Sequence, residues 1–261
     1  MDTNVRKLRG VTLPAGPAYR NISEFIAVNP FFDLPVSAGL VGAYFLSSQM
    51  SNPLNNHANL GLPLLKVGNP TVGTKFTSFS DGNQYDTQLP VGSPAGTSSA
   101  VTIIAVTKNP STAVDCWPIG NYLGGSGAVS SENLQVKKDN KMEVFVSNGT
   151  SLVSTVTDLS AAGTSGQLLV TAGRYGPTSL TGSCFRPGTN DMLHNTASVS
   201  SRKTPATTNY RIGGRPGMTG NGTPDVSAVL IYEGRLSDSD LLSVCQYLRG
   251  TFGARYGLWT A

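Results

Sequence analysis

A helix is signalled at one place in these 261 residues, near the end, and a chain of this length with so little helix must build its core from strands. From Val226 to Tyr232 the residues are almost all apolar, as in a strand buried on both faces, and Gly234 then turns the chain. Ser237 stands where an N-cap belongs. Asp240, three residues on, can return a bond in the manner of a capping box, and its charge favours the helix N-terminus. The helix is therefore predicted to start at Asp238. Leu241, Cys245, Leu248 and Phe252 fall in one stripe at 3.6 residues per turn, with Ser239, Ser243, Gln246 and Gly250 opposite. Arg249 suits the C-terminal end, and Gly250 or Gly253 is expected to supply the left-handed stop.

The rest of the chain reads as strands and turns. Leu40 to Leu46 is a nearly continuous apolar run, and Ala100 to Thr107 is apolar on both faces, which predicts a central strand. Residues 51–63 are turn-rich and predict a surface loop. Leu134 to Lys137, Lys141 to Ser147 and Ser151 to Thr157 predict a three-stranded antiparallel meander, joined by Lys138-Asp139-Asn140 and by Asn148-Gly149. The latter pair suits a type I′ turn with both central residues at positive φ. In the middle strand Met142, Val144 and Val146 face one side while Glu143 and Phe145 face the other. Gln167 to Ala172, Ser198 to Arg202 and Tyr210 to Gly213 continue the pattern at the spacing of a sandwich.

Composition narrows the function classes. Charged residues are 13% of the chain, against about a quarter in ordinary globular proteins, while Gly and Pro number 30 and 16. The formal charge of +4 is spread out, with small clusters at Arg6, Lys7 and Arg9 and at Arg202 and Lys203. No dense basic stripe for nucleic acid results. No apolar stretch approaches the length of a membrane span, and no signal peptide precedes the fold, so synthesis in a cytosol and no membrane insertion are expected. The three cysteines, Cys116, Cys184 and Cys245, have neither metal nor redox spacing, and Cys245 lies on the apolar helix stripe as a core residue. The N-x-Ser/Thr triplets at Asn21, Asn148 and Asn221 read as chance occurrences in a Ser/Thr-rich chain.

Residues 1–37 differ from the remainder of the chain. They carry Arg6, Lys7, Arg9 and Arg20, prolines at 14, 17, 30 and 35, and no sustained periodicity, so they form an extended N-terminal arm rather than a sheet. Phe25, Ile26, Phe31, Phe32 and Leu34 are its apolar anchors. The arm either docks on a neighbouring subunit or packs back along its own domain.

The strand-to-helix ending VSAVLIYEGRLSDSDL running into VCQYLRGTFG resembles the close of laminin-G-like, concanavalin A-like jelly-roll domains. GLVGAYFLSS (39–48) is similar to their opening strand, TKFTSFSDGNQYDT (74–87) to the segment where a strand turns into the sheet, and NYRIGG (209–214) to the strand before the final loop. The resemblance covers residues 38–258. It implies an all-β chain: a concanavalin A-like antiparallel β-sandwich over 38–261, with one short C-terminal helix, preceded by the arm. Domains of this kind with extended arms resemble those of bacteriophage tail fibres, baseplates and capsid decorations. That implies a structural or adhesive virion component, synthesised in the host cytoplasm, whose arm docks on other virion subunits or on itself, as in a trimer, while the sandwich faces outward.

Jelly rolls of this class also include glycan hydrolases, which need two carboxyl groups about 5 Å apart when they retain configuration. The ExDxE motif of the related glucanases is absent. The four glutamates, Glu24, Glu132, Glu143 and Glu233, are isolated. Asp238 and Asp240 alternate, but helix capping explains them. His57 and His194 lie in Asn-rich stretches, and neither a G-x-S-x-G nor an H-E-x-x-H motif occurs. No enzyme is expected.

The resemblance implies instead loops that bind calcium or sugar. Asp81, Asn83 and Asp86 in SDGNQYD offer oxygen ligands to a hard cation such as calcium, and they are equally the ordinary residues of a tight turn. No other cofactor is implied. Trp117, Asn121 and Tyr122 in DCWPIGNYLGG, with Tyr175 in RYGP, offer aromatic faces and an amide to a host-surface glycan. A Trp beside Pro reads equally well as a lid over the core. A stand-alone carbohydrate-binding module is the alternative to the virion component, and a glycan hydrolase of the same fold the more distant one.

Overall fold

The computed structural model describes residues 30–58, 61–90, 100–122, 132–202, 208–216 and 222–259. In chain order the strands are β1 (Leu40–Phe45), β2 (Leu65–Val67), β3 (Thr71–Val72), β4 (Thr77–Ser78), β5 (Gln84–Pro90), β6 (Val101–Lys108), β7 (Cys116–Gly120) and β8 (Glu132–Val136). They continue with β9 (Lys141–Ser147), β10 (Leu152–Asp158), β11 (Leu169–Tyr175), β12 (Ser179–Arg186), β13 (Asp191–Ser198), β14 (Asn209–Ile212) and β15 (Asp225–Glu233). Helix α1 (Asp238–Tyr247), a π-helical turn (Leu248–Phe252) and α2 (Gly253–Arg255) close the chain.

The strands make two antiparallel sheets. Sheet A runs β13-β12-β11-β6-β15-β4-β3, with β1 also paired to β15, and sheet B runs β10-β9-β8-β7-β14-β5-β2. One apolar core lies between them, where Tyr44, Ile103, Ile119, Leu134, Val144, Tyr210 and Val229 meet. A second lies on the outer face of sheet A, where Phe45, Ile104, Val170 and Leu230 meet the helical segment. The all-β antiparallel sandwich with a C-terminal helix is thus the observed architecture.

Local sequence explains most of this. In β6 every residue from Val101 to Thr107 is buried, because the strand lies between β11 and β15 and both its faces are covered. The meander forms as β8, β9 and β10, with Met142, Val144 and Val146 in the core between the sheets and Phe145 on the outside. Asn140 takes the left-handed position of the first turn, at φ +62°. The second turn is centred one residue later than the sequence suggests. Gly149 alone has positive φ (+98°), and the Asn148 side chain accepts from the Thr150 and Ser151 amides, so the turn departs from type I′.

At the helix, the Ser237 hydroxyl accepts from the Asp240 amide at 3.1 Å and donates to the Asp240 carboxylate at 2.8 Å. The expected glycine stop lies elsewhere. Gly250 sits inside the π-turn, Gly253 continues as right-handed helix, and Gly257, at φ +59°, supplies the left-handed residue. Gly257 N–H donates to Ala254 O and Leu258 N–H to Gly253 O, the two bonds of a Schellman cap.

Two further expectations are corrected, and two strands are not foreseen. Residues 116–120, predicted as loop, form the interior strand β7. Ser198–Arg202 is not a strand, since β13 ends at Ser198. β12 and β13 carried too few large apolar residues to be seen, because β12 is rich in Ser, Thr and Gly and β13 is a partly exposed edge.

The described end of the arm packs on its own domain. Phe31 is 4% exposed and stacks on Phe252 with ring centroids 5.2 Å apart, and Leu34 packs in the same cluster. Tyr247 Oη donates to Pro30 O, and Arg255 pairs with Asp33 at 3.1 Å. Phe32 is 59% exposed. Phe25 and Ile26 lie outside the described residues.

Candidate functional site

Whereas the outer face of sheet A is covered by the helix, that of sheet B carries polar and aromatic side chains. Strand register lines up one outward row across six strands: Phe145, Asn133, Gly120, Arg211, Asp86 and Leu65. Asn133 is buried, its side chain lies over Gly120, and neither its Oδ1 nor its Nδ2 has a hydrogen-bond partner among the described residues.

Beside this row sits an aromatic group built by a bulge. The β7–β8 register slips between Cys116 and Ile119, so Trp117 and Pro118 together oppose Gln135, and Trp117 turns outward. Its ring meets Phe145 edge-on at 5.1 Å, and Tyr122 meets Phe145 at 6.1 Å. The Arg215 guanidinium lies over Trp117 at 4.0 Å and over Tyr122 at 4.8 Å. Burial lowers the Arg215 pKa to about 10, opposed by the nearby Tyr122 and Asp81, so the site holds a cation partly stripped of water.

Backbone geometry puts Arg215 there. Gly213 N–H donates to Pro118 O at 2.8 Å, which ties the end of β14 to the residue after Trp117. Gly213 has φ +83°, and a Cβ on it would lie 2.0 Å from Phe79 Cγ, so only glycine fits. On the other side Gln84 Nε2 reaches Arg215 O at 3.5 Å.

The predicted site residues part company here. Trp117 and Tyr122 come together, but Trp117 is only 8% exposed, so its role on this face is to back the guanidinium. Asn121 is buried at the end of β7, and its Oδ1 accepts from Glu132 N–H at 2.7 Å. Tyr175, proposed from sequence as a sugar-facing ring, is fully buried on β11; that expectation is corrected, since its backbone carbonyl accepts from Arg202 inside the sandwich. Arg202 also pairs there with Glu132, which accepts from Tyr210 Oη. Sequence reading missed Arg215, which follows two glycines in a stretch without periodicity.

The oxygen-rich turn is engaged internally. Asn83 bonds Ser80 Oγ and Asn69 N–H, and Asp86 pairs with Arg211 at 3.1 Å while accepting from Gln88 N–H and Asn209. Among the described residues no group of three or more His, Cys, Asp or Glu is placed to hold a metal ion.

No family model matches the chain, and no curated protein matches it. Solved structures share its fold. The receptor-binding domain of botulinum neurotoxin D superposes with a TM-score of 0.58 at 11% identity, over 81% of this chain and 53% of that one. The serotype G binding domain gives 0.60 at 7% identity, over 81% and 52%. A serotype D ligand-binding domain in complex with N-acetylneuraminic acid gives 0.56 at 10% identity, over 81% and 52%. The chain spans about half the length of these structures. At such identities the likeness establishes the jelly-roll β-sandwich.

Proposed function

We propose that this protein is a non-catalytic, lectin-like module that binds glycan on the outer face of sheet B, and that it serves as a component of a bacteriophage virion. The observation that carries the glycan reading is the Arg215 guanidinium stacked over Trp117 and Tyr122, near the Asn133 amide, which has no hydrogen-bond partner among the described residues. A partly desolvated cation on an aromatic backing favours an acidic sugar, whose carboxylate supplies the charge and whose ring supplies apolar edges. The toxin domain that holds N-acetylneuraminic acid on the same fold supports this choice. The non-catalytic reading rests on the carboxylates near the face and beneath it. Asp86, Glu143, Asp225 and Glu132 are paired with Arg211, Lys137, Lys108 and Arg202, and Asp81 acts on Arg215, which leaves none of the five poised as an acid beside a nucleophile. The virion setting rests on the sequence resemblance, with the N-terminal arm of residues 1–37 as the docking segment.

The test is a titration of the full chain with N-acetylneuraminic acid and with galactose. Saturable binding of the acidic sugar should weaken about ten-fold or more in Arg215→Ala, in line with a charge-assisted bond of about 1.5–3 kcal/mol, with unchanged unfolding and no glycan cleavage. Equal binding by parent and variant would refute the site. Light scattering on the same full chain, beside one lacking residues 1–29, tests the arm: an oligomer should fall to a folded monomer, and equal masses would remove the docking role.

A further inference from the structure

The opposite side of the molecule holds a cavity that the glycan reading does not use. Its volume is about 490 Å³, and it opens where the helical segment stops short of covering sheet A, between β6, β11, the end of β12 and the C-terminal residues. This is the size of a small-molecule site. The floor is apolar, with Leu168, Val170 and Phe185, while three cations, Lys75, Lys108 and Arg249, stand at its walls. No acidic side chain lines it among the described residues.

Two of these cations are held in place by rings. Lys108 Nζ lies 4.4 Å from the Phe76 centroid and pairs with Asp225 at 3.2 Å, which leaves that ammonium largely neutralised. Arg249 Cζ lies 4.2 Å from the Trp259 centroid and makes no ion pair among the described residues. Trp259 is itself fixed, because its Nε1–H donates to Leu168 O at 2.7 Å. A guanidinium set on an anchored indole, over an apolar floor and without a carboxylate partner among the described residues, is arranged to meet an anion.

We propose that this cavity binds a free small molecule consisting of a single apolar ring with an anionic group, the ring lying on the floor and the anion meeting Arg249. The inference is independent of the glycan reading. Burial lowers the Arg249 pKa, a cost that a bound anion would offset.

The two tryptophans make the test clean, since Trp117 belongs to sheet B and Trp259 to this cavity. In the full chain carrying Trp117→Phe, fluorescence reports Trp259 alone. Phenyl phosphate should change it saturably, and inorganic phosphate and benzyl alcohol should each bind at least ten-fold more weakly, which shows that ring and charge are both required. Arg249→Gln should weaken phenyl phosphate about ten-fold or more. Gly166→Leu provides a second variant at the cavity wall that removes no contact: the nearest atom to a Cβ there is Asn109 O at 3.9 Å, so a bulkier side chain has room beside the cavity and should weaken phenyl phosphate about ten-fold or more by narrowing it. The proposal is overturned if phenyl phosphate gives no saturable change, or if either variant binds it as tightly as the parent. Loss of glycan binding in Arg215→Ala would not move this signal, so the two readings fail separately.

Discussion

The two outer faces of this sandwich come from the same alternation of side chains across a pleated sheet, yet one is mainly apolar and the other mixes rings with polar and charged groups. In sheet A the outward residues of β1, β6, β11 and β15 are Phe45, Ile104, Val170 and Leu230, and they require a cover. The helical segment supplies it with Leu241, Val244, Cys245, Leu248 and Phe252, joined by Phe31 from the arm. In sheet B the outward row runs from Phe145, Asn133 and Gly120, all buried, to Arg211 and Asp86, which pair with each other and are partly exposed. The apolar cover is concentrated on one side of the sandwich, and the proposed recognition chemistry lies on the other. The cavity at Trp259 lies at the boundary, where the cover of sheet A ends.

The largest way to break this contrast is to lift the cover. Phe252 is fully buried and packs against Phe31, Phe45 and Tyr256. Phe252→Ala should cost about 3–5 kcal/mol in denaturant unfolding and leave binding at Arg215 intact in the surviving folded fraction. A cost below about 1 kcal/mol would mean that the helix adds little to sheet A.

A smaller effect is expected on the outer face of sheet B. Gly213→Ala forces a side chain into a left-handed position against Phe79, at a cost of roughly 1–3 kcal/mol. It should also shift Arg215 off its rings. In a chain where Trp259→Phe leaves Trp117 as the reporter, the emission should change and glycan binding should weaken. An unaltered spectrum would show that Gly213 does not position the cation.

The smallest effect is a pH dependence confined to the covered side. His57 lies beside Phe31, and His194 shares a hydrogen bond with Ser183 and faces Arg174 and Arg235. Burial lowers both pKa values below the usual 6.5, with Arg174 adding to the effect at His194. The unfolded chain therefore binds protons more readily. Stability from this source is complete above about pH 6.5 and is lost as the pH falls through the folded values. Replacing both histidines with Gln should flatten the unfolding midpoint between about pH 7 and pH 5; an unchanged slope would assign the dependence to other groups.

Where the signal was local, it could be read directly. Ser237 and Asp240 mark the helix start, and the alternation of Met142, Val144 and Val146 against Glu143 and Phe145 orients β9 correctly. The failures are equally physical. β13 is an edge whose residues need little hydrophobicity, and β12 uses Ser, Thr and Gly because Gly182 has Val144 and Thr157 close above it from sheet B. Trp117 looked like a loop residue because Pro118 comes after it, whereas a bulge accommodates a proline inside a sheet. Tyr175 looked like a surface ring because Gly176 and Pro177 come next, yet it ends a wholly buried strand.

By itself the sequence determined the class of fold, the place and start of the helix, the inward face of the meander and the absence of a paired-carboxylate motif, because each depends on spacing within a few residues. Only the tertiary structure decided that Arg215 lies over Trp117 and Tyr122, that Asn133 lies beside Gly120, and that Lys108, Arg249 and Trp259 share one cavity. These residues are far apart along the chain, and what joins them is strand register and packing between layers, which no local pattern encodes.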